Sequence, residues 1–352
     1  MWIISVLLLI LILGVIILIH ELGHFFWAKK FGVHIYEFSI GMGPVIYSKK
    51  GKDKIIYNLR AIPIGGFVSM AGEVYEDDDT KKIPKDKFMC NKPWYQRVII
   101  LIAGVVNNLI SAVLLLFFGA LIWGGTTLDP VIDEALVGYP AHEAGIENGD
   151  RILKINGYKI SNWDVAQIVL HMNNENDYTE FLVEKENGEE KLIKVTPIVE
   201  KNEETGEETK VFGIQMATEK IKGFLPSLKY GFTKFTSIVQ SMWLTITSLI
   251  TGKISLDALS GPVGIYEVVD DSISVGISQI IYLLAFLSIN VGFINILPFP
   301  AFDGGRVLFI IIEKIKGSPV NQKFENICHS IGFILLLILM IYITIQDIIR
   351  LF

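Results

Sequence analysis

Cysteine is almost missing from this chain. Its 352 residues hold two, Cys90 and Cys328, without C-x-x-C spacing. Zinc knuckles built from paired thiolates are therefore excluded. Cys328 stands beside His329, but two neighbours on one element rarely share a metal, and both cysteines read as ordinary thiols. Excess positive charge is missing too: 31 Lys and Arg against 37 Asp and Glu leave a net charge of −6, and nothing points to nucleic acid. The chain starts without a basic n-region, and no A-x-A-like site follows its first apolar run. A retained first helix is therefore expected, not a cleaved signal peptide. No internal repeat is visible, which argues against a transporter built from paired broken helices.

Long apolar runs are what the chain does have. Hydrophobic residues make up 51% of it. A bilayer core asks for about 20 consecutive apolar residues. Candidate spans run from about 2 to 26, 98 to 123, 277 to 297 and 331 to 347, the last being short. Val307 to Ile312 is too short to span alone and suits a partial helix beside the core. The expected fold class is thus a membrane α-helical protein with about four transmembrane helices. Lys29, Lys30, Lys49, Lys50, Lys52, Lys54, Arg60, Lys81, Lys82, Lys85, Lys87 and Lys92 fill the loop after the first span. Arg306, Lys314, Lys316 and Lys323 follow the third. The positive-inside rule places both loops in the cytoplasm, with the termini and the acidic segment 124–222 outside.

That outside segment has the pattern of a small folded domain. Residues 151–155, 180–184 and 191–195 alternate like strands, Asn156-Gly157 and Asn187-Gly188 are hairpin-turn pairs, and Asp164 to Met172 suits a helix. Glu200 to Lys210 is polar and suits a solvated hairpin tip or loop. Leu225 to Ile250 is amphipathic; the expectation is an interfacial segment over 223–275 in preference to a further span. Within the first basic loop, Val45-Ile46-Tyr47 and Ile55-Ile56-Tyr57 are short β-like pieces around a Lys-Gly-Lys turn.

The first span ends in His20-Glu21-Leu22-Gly23-His24, an H-E-x-x-H pattern. Ionised groups at such a place cost about 2–3 kcal/mol each, and a metal ion would offset that. Positions i and i+4 on a helix lie about 6 Å apart on one face, so both imidazoles can address one zinc while Glu21 reaches a water beside it. A catalytic zinc needs a third protein ligand and an open position. A metzincin would carry Gly and His three and six residues after His24, where this chain has Trp27 and Lys30. His34 belongs to the polar loop and is expected to be solvated. Asp303 is the better candidate, because two prolines and two glycines interrupt the third span around it. Such irregular backbone is tolerated at membrane depth only under protein or against a water cavity. A plain turn residue before Gly-Gly is the other reading of Asp303.

H-E-L-G-H at 20–24 and N-x-x-P-x-x-x-x-D-G at 295–304 together resemble the site-2 protease family of intramembrane zinc metalloproteases, peptidase family M50. The resemblance implies that His20, His24 and Asp303 bind zinc and that Glu21 is the general base. Phe38 to Pro44 and Ile64 to Val68 look like the family's membrane-reentrant β-hairpin, which implies substrate binding by Gly65, Gly66, Phe67 and Val68. Asn295 and Pro298 join that set. Lys92 to Arg97 and Ala103 to Asn108 resemble the start of the family's second helix, although Val105 stands where the family usually has Pro. Ser260 to Ile265 fits as well. Tyr139 to Ile152 resembles the P-A-x-x-A-G-I-x-x-G-D-x-I stretch of a bacterial PDZ domain, and one such domain matches the sigma-regulator branch of the family.

The full expectation is a membrane α-helical protease with a reentrant hairpin and an inserted extracytoplasmic α+β PDZ domain over 124–222. Zinc is its cofactor and the lipid bilayer its setting. The resemblance implies single-pass substrates such as anti-sigma factors, and remnant signal peptides. The PDZ domain would bind substrate C-termini or act as a size filter. A metal carrier and an inactive scaffold are the competing classes; Glu21 argues against a scaffold, since a structural zinc needs no base.

Overall fold

The computed structural model describes residues 2–73, 83–172, 177–201, 208–217, 219–256 and 259–350. Lys81 and Lys82 of the basic loop, and the centre of the polar 200–210 stretch, lie outside the described residues. The chain begins with α1 (Trp2–Lys30), β1 (Ile35–Lys50), β2 (Ile56–Met70) and α2 (Trp94–Trp123). There follow β3 (Gly125–Thr126), β4 (Ile132–Ala135), α3 (Pro140–Glu143), β5 (Arg151–Ile155), β6 (Tyr158–Lys159) and α4 (Trp163–His171). Next come β7 (Thr179–Glu184), β8 (Glu190–Val195), β9 (Ile198–Lys201), β10 (Glu208–Val211), β11 (Ile214–Met216), β12 (Lys220–Ile221) and α5 (Phe224–Ile250). The chain ends with α6 (Pro262–Val275), α7 (Ile277–Ile296), α8 (Asp303–Lys316) and α9 (Gln322–Arg350). Two compact units result: 1–115 with 259–352, and 116–258.

Among the described residues α1, α2, α7 and α9 are the four helices long and apolar enough to cross a membrane. An unbroken apolar run favours helix there because a helix satisfies its own backbone polar groups. α1 ends in a Schellman motif: Gly32 has φ +69°, its N–H reaches Lys29 O at 3.1 Å, and Val33 N–H reaches Ala28 O at 2.9 Å. The chain is thereby turned into β1. The fourth span starts at Gln322, earlier than its apolar run at 331, because the Asn321 side chain accepts from Lys323 N–H at 2.8 Å and caps a polar first turn. The partial helix expected at 307–312 is longer as well. α8 opens at Asp303 itself and stops at Gly317, φ +74°.

The β pieces expected at 45–47 and 55–57 are parts of much longer strands. Residues 37–40 of β1 are in register with 66–69 of β2 on one side and with 56–59 on the other. Segment 66–70 thus has a strand neighbour on one edge alone among the described residues. Glu37 is held below the usual carboxylate range: burial would raise it, but hydrogen bonds from Arg60 and Ser39 outweigh burial.

The stretch 223–275, expected as one interfacial segment, is two helices in different units. Gly252, at φ +73°, lies just past the end of α5, and Gly261-Pro262 starts α6. α6 packs in the first unit, where Ser5 donates to Asp270 at 2.5 Å and Val269 is fully buried among Ile12, Ile16, Leu283 and Leu287.

The second unit centres on a four-stranded sheet of order β6-β5-β7-β8. Phe181 and Val183, and Ile193 and Val195, turn inward at the two-residue period of a half-buried strand, and Ile152 and Ile155 do so across a register shift in β5. Asn156 (φ +48°) and Gly157 (φ +80°) make the tight β5–β6 turn. α4 is capped by the Asn162 side chain, which accepts from Val165 N–H at 3.0 Å. β9 and β10 pair antiparallel, as do β11 and β4. α5 is fastened to α4 by Lys234, which donates to both Asp164 carboxylate oxygens at 2.8 Å.

Candidate metal centre

The H-E-x-x-H residues occupy the last third of α1, so His20 and His24 fall on one helix face, their rings edge to face with centroids 4.7 Å apart. Both are buried. Asp303 arrives from the start of α8. Its Oδ2 is 3.0 Å from His20 Nε2 and 3.4 Å from His24 Nε2. Two imidazole nitrogens and a carboxylate oxygen therefore converge, and His20, Glu21 and His24 each offer a ligand atom within 4.8 Å of the others.

The far side of each ring decides whether this set suits a metal. His24 Nδ1–H donates to the Ile100 carbonyl at 2.8 Å, which leaves the Nε2 lone pair facing Asp303. His20 Nδ1 faces the Asn108 amide nitrogen at 3.4 Å, while Asn108 Oδ1 is buried without a partner among the described residues. Turning that amide by half a revolution brings the orphaned oxygen to Nδ1 as an acceptor and again frees Nε2. Metal-bound histidines characteristically have their second nitrogen engaged in this way. The donor set and its surroundings fit zinc.

Small residues make the convergence possible. A β-carbon on Gly23 would lie 2.4 Å from Ala103 O, and one on Gly104 would lie 2.6 Å from His24 Nε2 and 2.8 Å from His20 Nε2. α1 and α2 thus meet almost backbone to backbone at the two histidines. Gly23 lies inside H-E-L-G-H and Gly104 inside the 103–108 stretch, but for this clearance their sequence signal is only their small size among large apolar residues. At α8, β-carbons on Gly304 and Gly305 would strike Ile296 O and Phe299 O at 2.3 Å, which explains Asp-Gly-Gly as tight packing of a helix start on its own entry loop.

A cavity of about 300 Å³ opens on the site, lined by His20, Glu21, His24, Asp303, Phe67, Val68, Asn295 and Arg306 among others. Three of the residues expected to contact substrate, Asn295, Phe67 and Val68, therefore face it. Pro298 does not; it lines a separate space of about 160 Å³ with Asn295 and Asp303. Gly65 and Gly66 do not line the cavity either. Gly65, at φ +88°, makes a bend within β2 just before segment 66–70, and a β-carbon on Gly66 would lie 2.9 Å from Ser39 O and 3.6 Å from Glu21 Cγ. Gly66 thus lets β2 pass closely beside β1, and Glu21 lies at ordinary contact distance from it. His34 packs edge to face on Tyr36 and has no place in the cluster.

Residues 8–339 match peptidase family M50. A candidate zinc metalloprotease of Fusobacterium nucleatum is 39% identical over 97% of this chain and 98% of its own length. The regulator of sigma-W protease RasP of Bacillus subtilis is 32% identical over 100% of both chains. A candidate zinc metalloprotease of Clostridium acetobutylicum is 35% identical over 97% and 96%. The chain belongs to the M50, or site-2 protease, family, and it is an intramembrane zinc metalloprotease.

Proposed function

We propose that His20, His24 and Asp303 hold the zinc ion, that Glu21 is the general base, and that the enzyme cuts single-pass membrane proteins within their transmembrane segments. The observation that carries this reading is that Asp303 Oδ2 lies 3.0 Å from His20 Nε2 and 3.4 Å from His24 Nε2 at the end of a helix long enough to span a bilayer. When bound, zinc supplies a Lewis acid that polarises the scissile carbonyl and makes a water acidic near neutral pH. Glu21 takes the proton of the attacking water and delivers it to the leaving amine. A helical substrate hides its amides and must unwind first. The open edge of segment 66–70, beside Phe67 and Val68 in the cavity wall, offers main-chain partners to the unwound stretch. Asn295, which lines the same cavity, offers a side-chain hydrogen bond.

The basic loops favour a zinc site towards the cytoplasm, with the termini and 124–222 outside. Segment 36–70 is then a membrane-reentrant hairpin and 124–222 a PDZ domain that binds substrate C-termini or screens substrates by size. The full-length relative from Bacillus subtilis is named for regulating sigma-W. Anti-sigma factors already shortened by another protease are accordingly the substrates we favour, with remnant signal peptides second. Glu21→Gln tests the assignment: zinc content should be unchanged while cleavage of a single-pass substrate falls by about 10²–10⁴-fold. Cleavage at the wild-type rate would overturn the role of Glu21.

A further inference from the structure

α9 is largely exposed along its span, as a lipid-facing helix should be, yet it carries a histidine. An ionisable side chain in such a helix needs a partner or a task. His329 Nδ1 accepts the backbone N–H of Ala301 at 2.9 Å. The ring is therefore the Nε2–H tautomer. Its Nε2 has no hydrogen-bond partner among the described residues, and Glu325 Oε1 is 3.9 Å away. The single directed bond of this side chain goes to the loop that enters α8.

Ala301 is an unusual place for such a bond. Its φ is +86°, a region that residues with a β-carbon rarely enter unless the surroundings impose it. It lies two residues before Asp303 and lines the same cavity. One turn along α9 from His329, a β-carbon on Gly332 would lie 2.4 Å from Pro300 O, so the helix touches the loop at two consecutive residues from one face. From the other side, a β-carbon on Gly305 would lie 2.3 Å from Phe299 O. The loop is clamped between α9 and the first turn of α8. Phe302, at the head of α8, has no side-chain cap that would fix the start of the helix locally.

We infer that His329 is a positioning residue: it holds Ala301 in its disfavoured conformation and so sets where the Asp303 carboxylate meets His20 and His24. This rests on the proposed role of Asp303 as a zinc ligand. The alternative is a bond that only stabilises the loop, and the two differ in what they do to metal binding and to strain.

The test uses the full-length protein in detergent. Zinc affinity is measured by competition with a chromophoric chelator in a Glu21→Gln background, and kcat and KM in the active enzyme. His329→Leu removes the acceptor. His329→Asn returns an acceptor oxygen near the position of Nδ1. Ala301→Gly removes the conformational strain and serves as the baseline for the double variant His329→Leu with Ala301→Gly. The expected result is a 10–100-fold loss of zinc affinity in His329→Leu, the range typical of outer-shell partners. It should come with a fall in kcat at little changed KM. Recovery of affinity is expected in His329→Asn and in the double variant. Wild-type zinc affinity and kcat in His329→Leu, with only a lower thermal midpoint, would overturn the inference. Failure of both rescues would overturn it as well, and these arms remain readable if His329→Leu itself does not fold. Asp303→Asn is run alongside. If that variant keeps full zinc affinity, the ligand assignment has failed; if it loses affinity while His329→Leu does not, only the positioning role has failed.

Discussion

Gly104 on α2 stands so close to His24 on α1 that a β-carbon on the glycine would lie 2.6 Å from His24 Nε2. Gly104→Ala is therefore expected to displace the histidines and lower zinc content at least tenfold, measured by elemental analysis of the purified protein. Alanine is the better helix former by about 1 kcal/mol. If the clearance were not needed, the variant would keep its zinc and gain stability, and that outcome would refute the argument.

Asn108 is fully buried beside His20. If its carbonyl oxygen fixes the His20 tautomer, Asn108→Ala should weaken zinc binding by about 10–100-fold. Asp303→Ala, which removes a proposed ligand, should exceed that loss. Chelator competition in the Glu21→Gln background ranks the two. Equal affinities for Asn108→Ala and its parent would remove Asn108 from the account.

Asp347 on α9 accepts from the backbone N–H groups of Gly261 and Gly264, at 2.9 and 3.0 Å, and so caps α6 from another helix. Asp347→Ala should destabilise the first unit by about 1–2 kcal/mol. Asp347→Asn, which keeps an acceptor oxygen, should cost less. Thermal unfolding in detergent compares the two, and equal losses would argue against a capping role.

In the second unit Lys185 donates to buried Asp150 at 2.9 Å and to Glu147 at 3.0 Å. Burial alone would lower the Lys185 pKa, but the bonds to Asp150 and Glu147 outweigh it and hold it above its ordinary value. The Lys185 hydrogen bond holds Glu147 below its own. A raised lysine contributes stability below its unfolded pKa of about 10.4 and loses it as pH climbs through the raised value. A lowered carboxylate contributes above about 4.3 and loses its share as pH falls through the lowered value. The unit should hence be most stable between these limits. Lys185→Met should cost about 3 kcal/mol, mostly by leaving Asp150 buried and unpaired. Hydrogen exchange at the β7 amides reads this directly; protection unchanged at neutral pH would contradict it.

Much of the architecture was legible in the sequence because its cause is local. Long apolar runs mark α1, α2 and α7 and a shorter one marks α9, and alternation at 151–155, 180–184 and 191–195 lies on β5, β7 and β8. Some boundaries escaped although their cause is just as local. The fourth span begins early because of an Asn321 cap, and 223–275 divides because two glycines end one helix and begin another. Within the candidate site, the i and i+4 spacing alone put His20 and His24 on one face. The contribution of Gly66, which lets β2 pass closely beside Ser39 of β1, depends on a sheet whose register follows from no single segment.

The sequence by itself determined the spans, the pair of imidazoles with their carboxylate neighbour, and a broken helix carrying Asp303. These follow from hydrophobic length, helical period and the backbone preferences of proline and glycine. Only the tertiary structure decided that Asp303 meets His20 across 283 residues of chain and that Ile100 takes the second nitrogen of His24 across 76. It alone decided that Gly23 and Gly104 let the helices close around the histidines. The physical reason is range. A local pattern fixes which face of a helix a side chain occupies, whereas the partner waiting there is chosen by the packing of the whole chain.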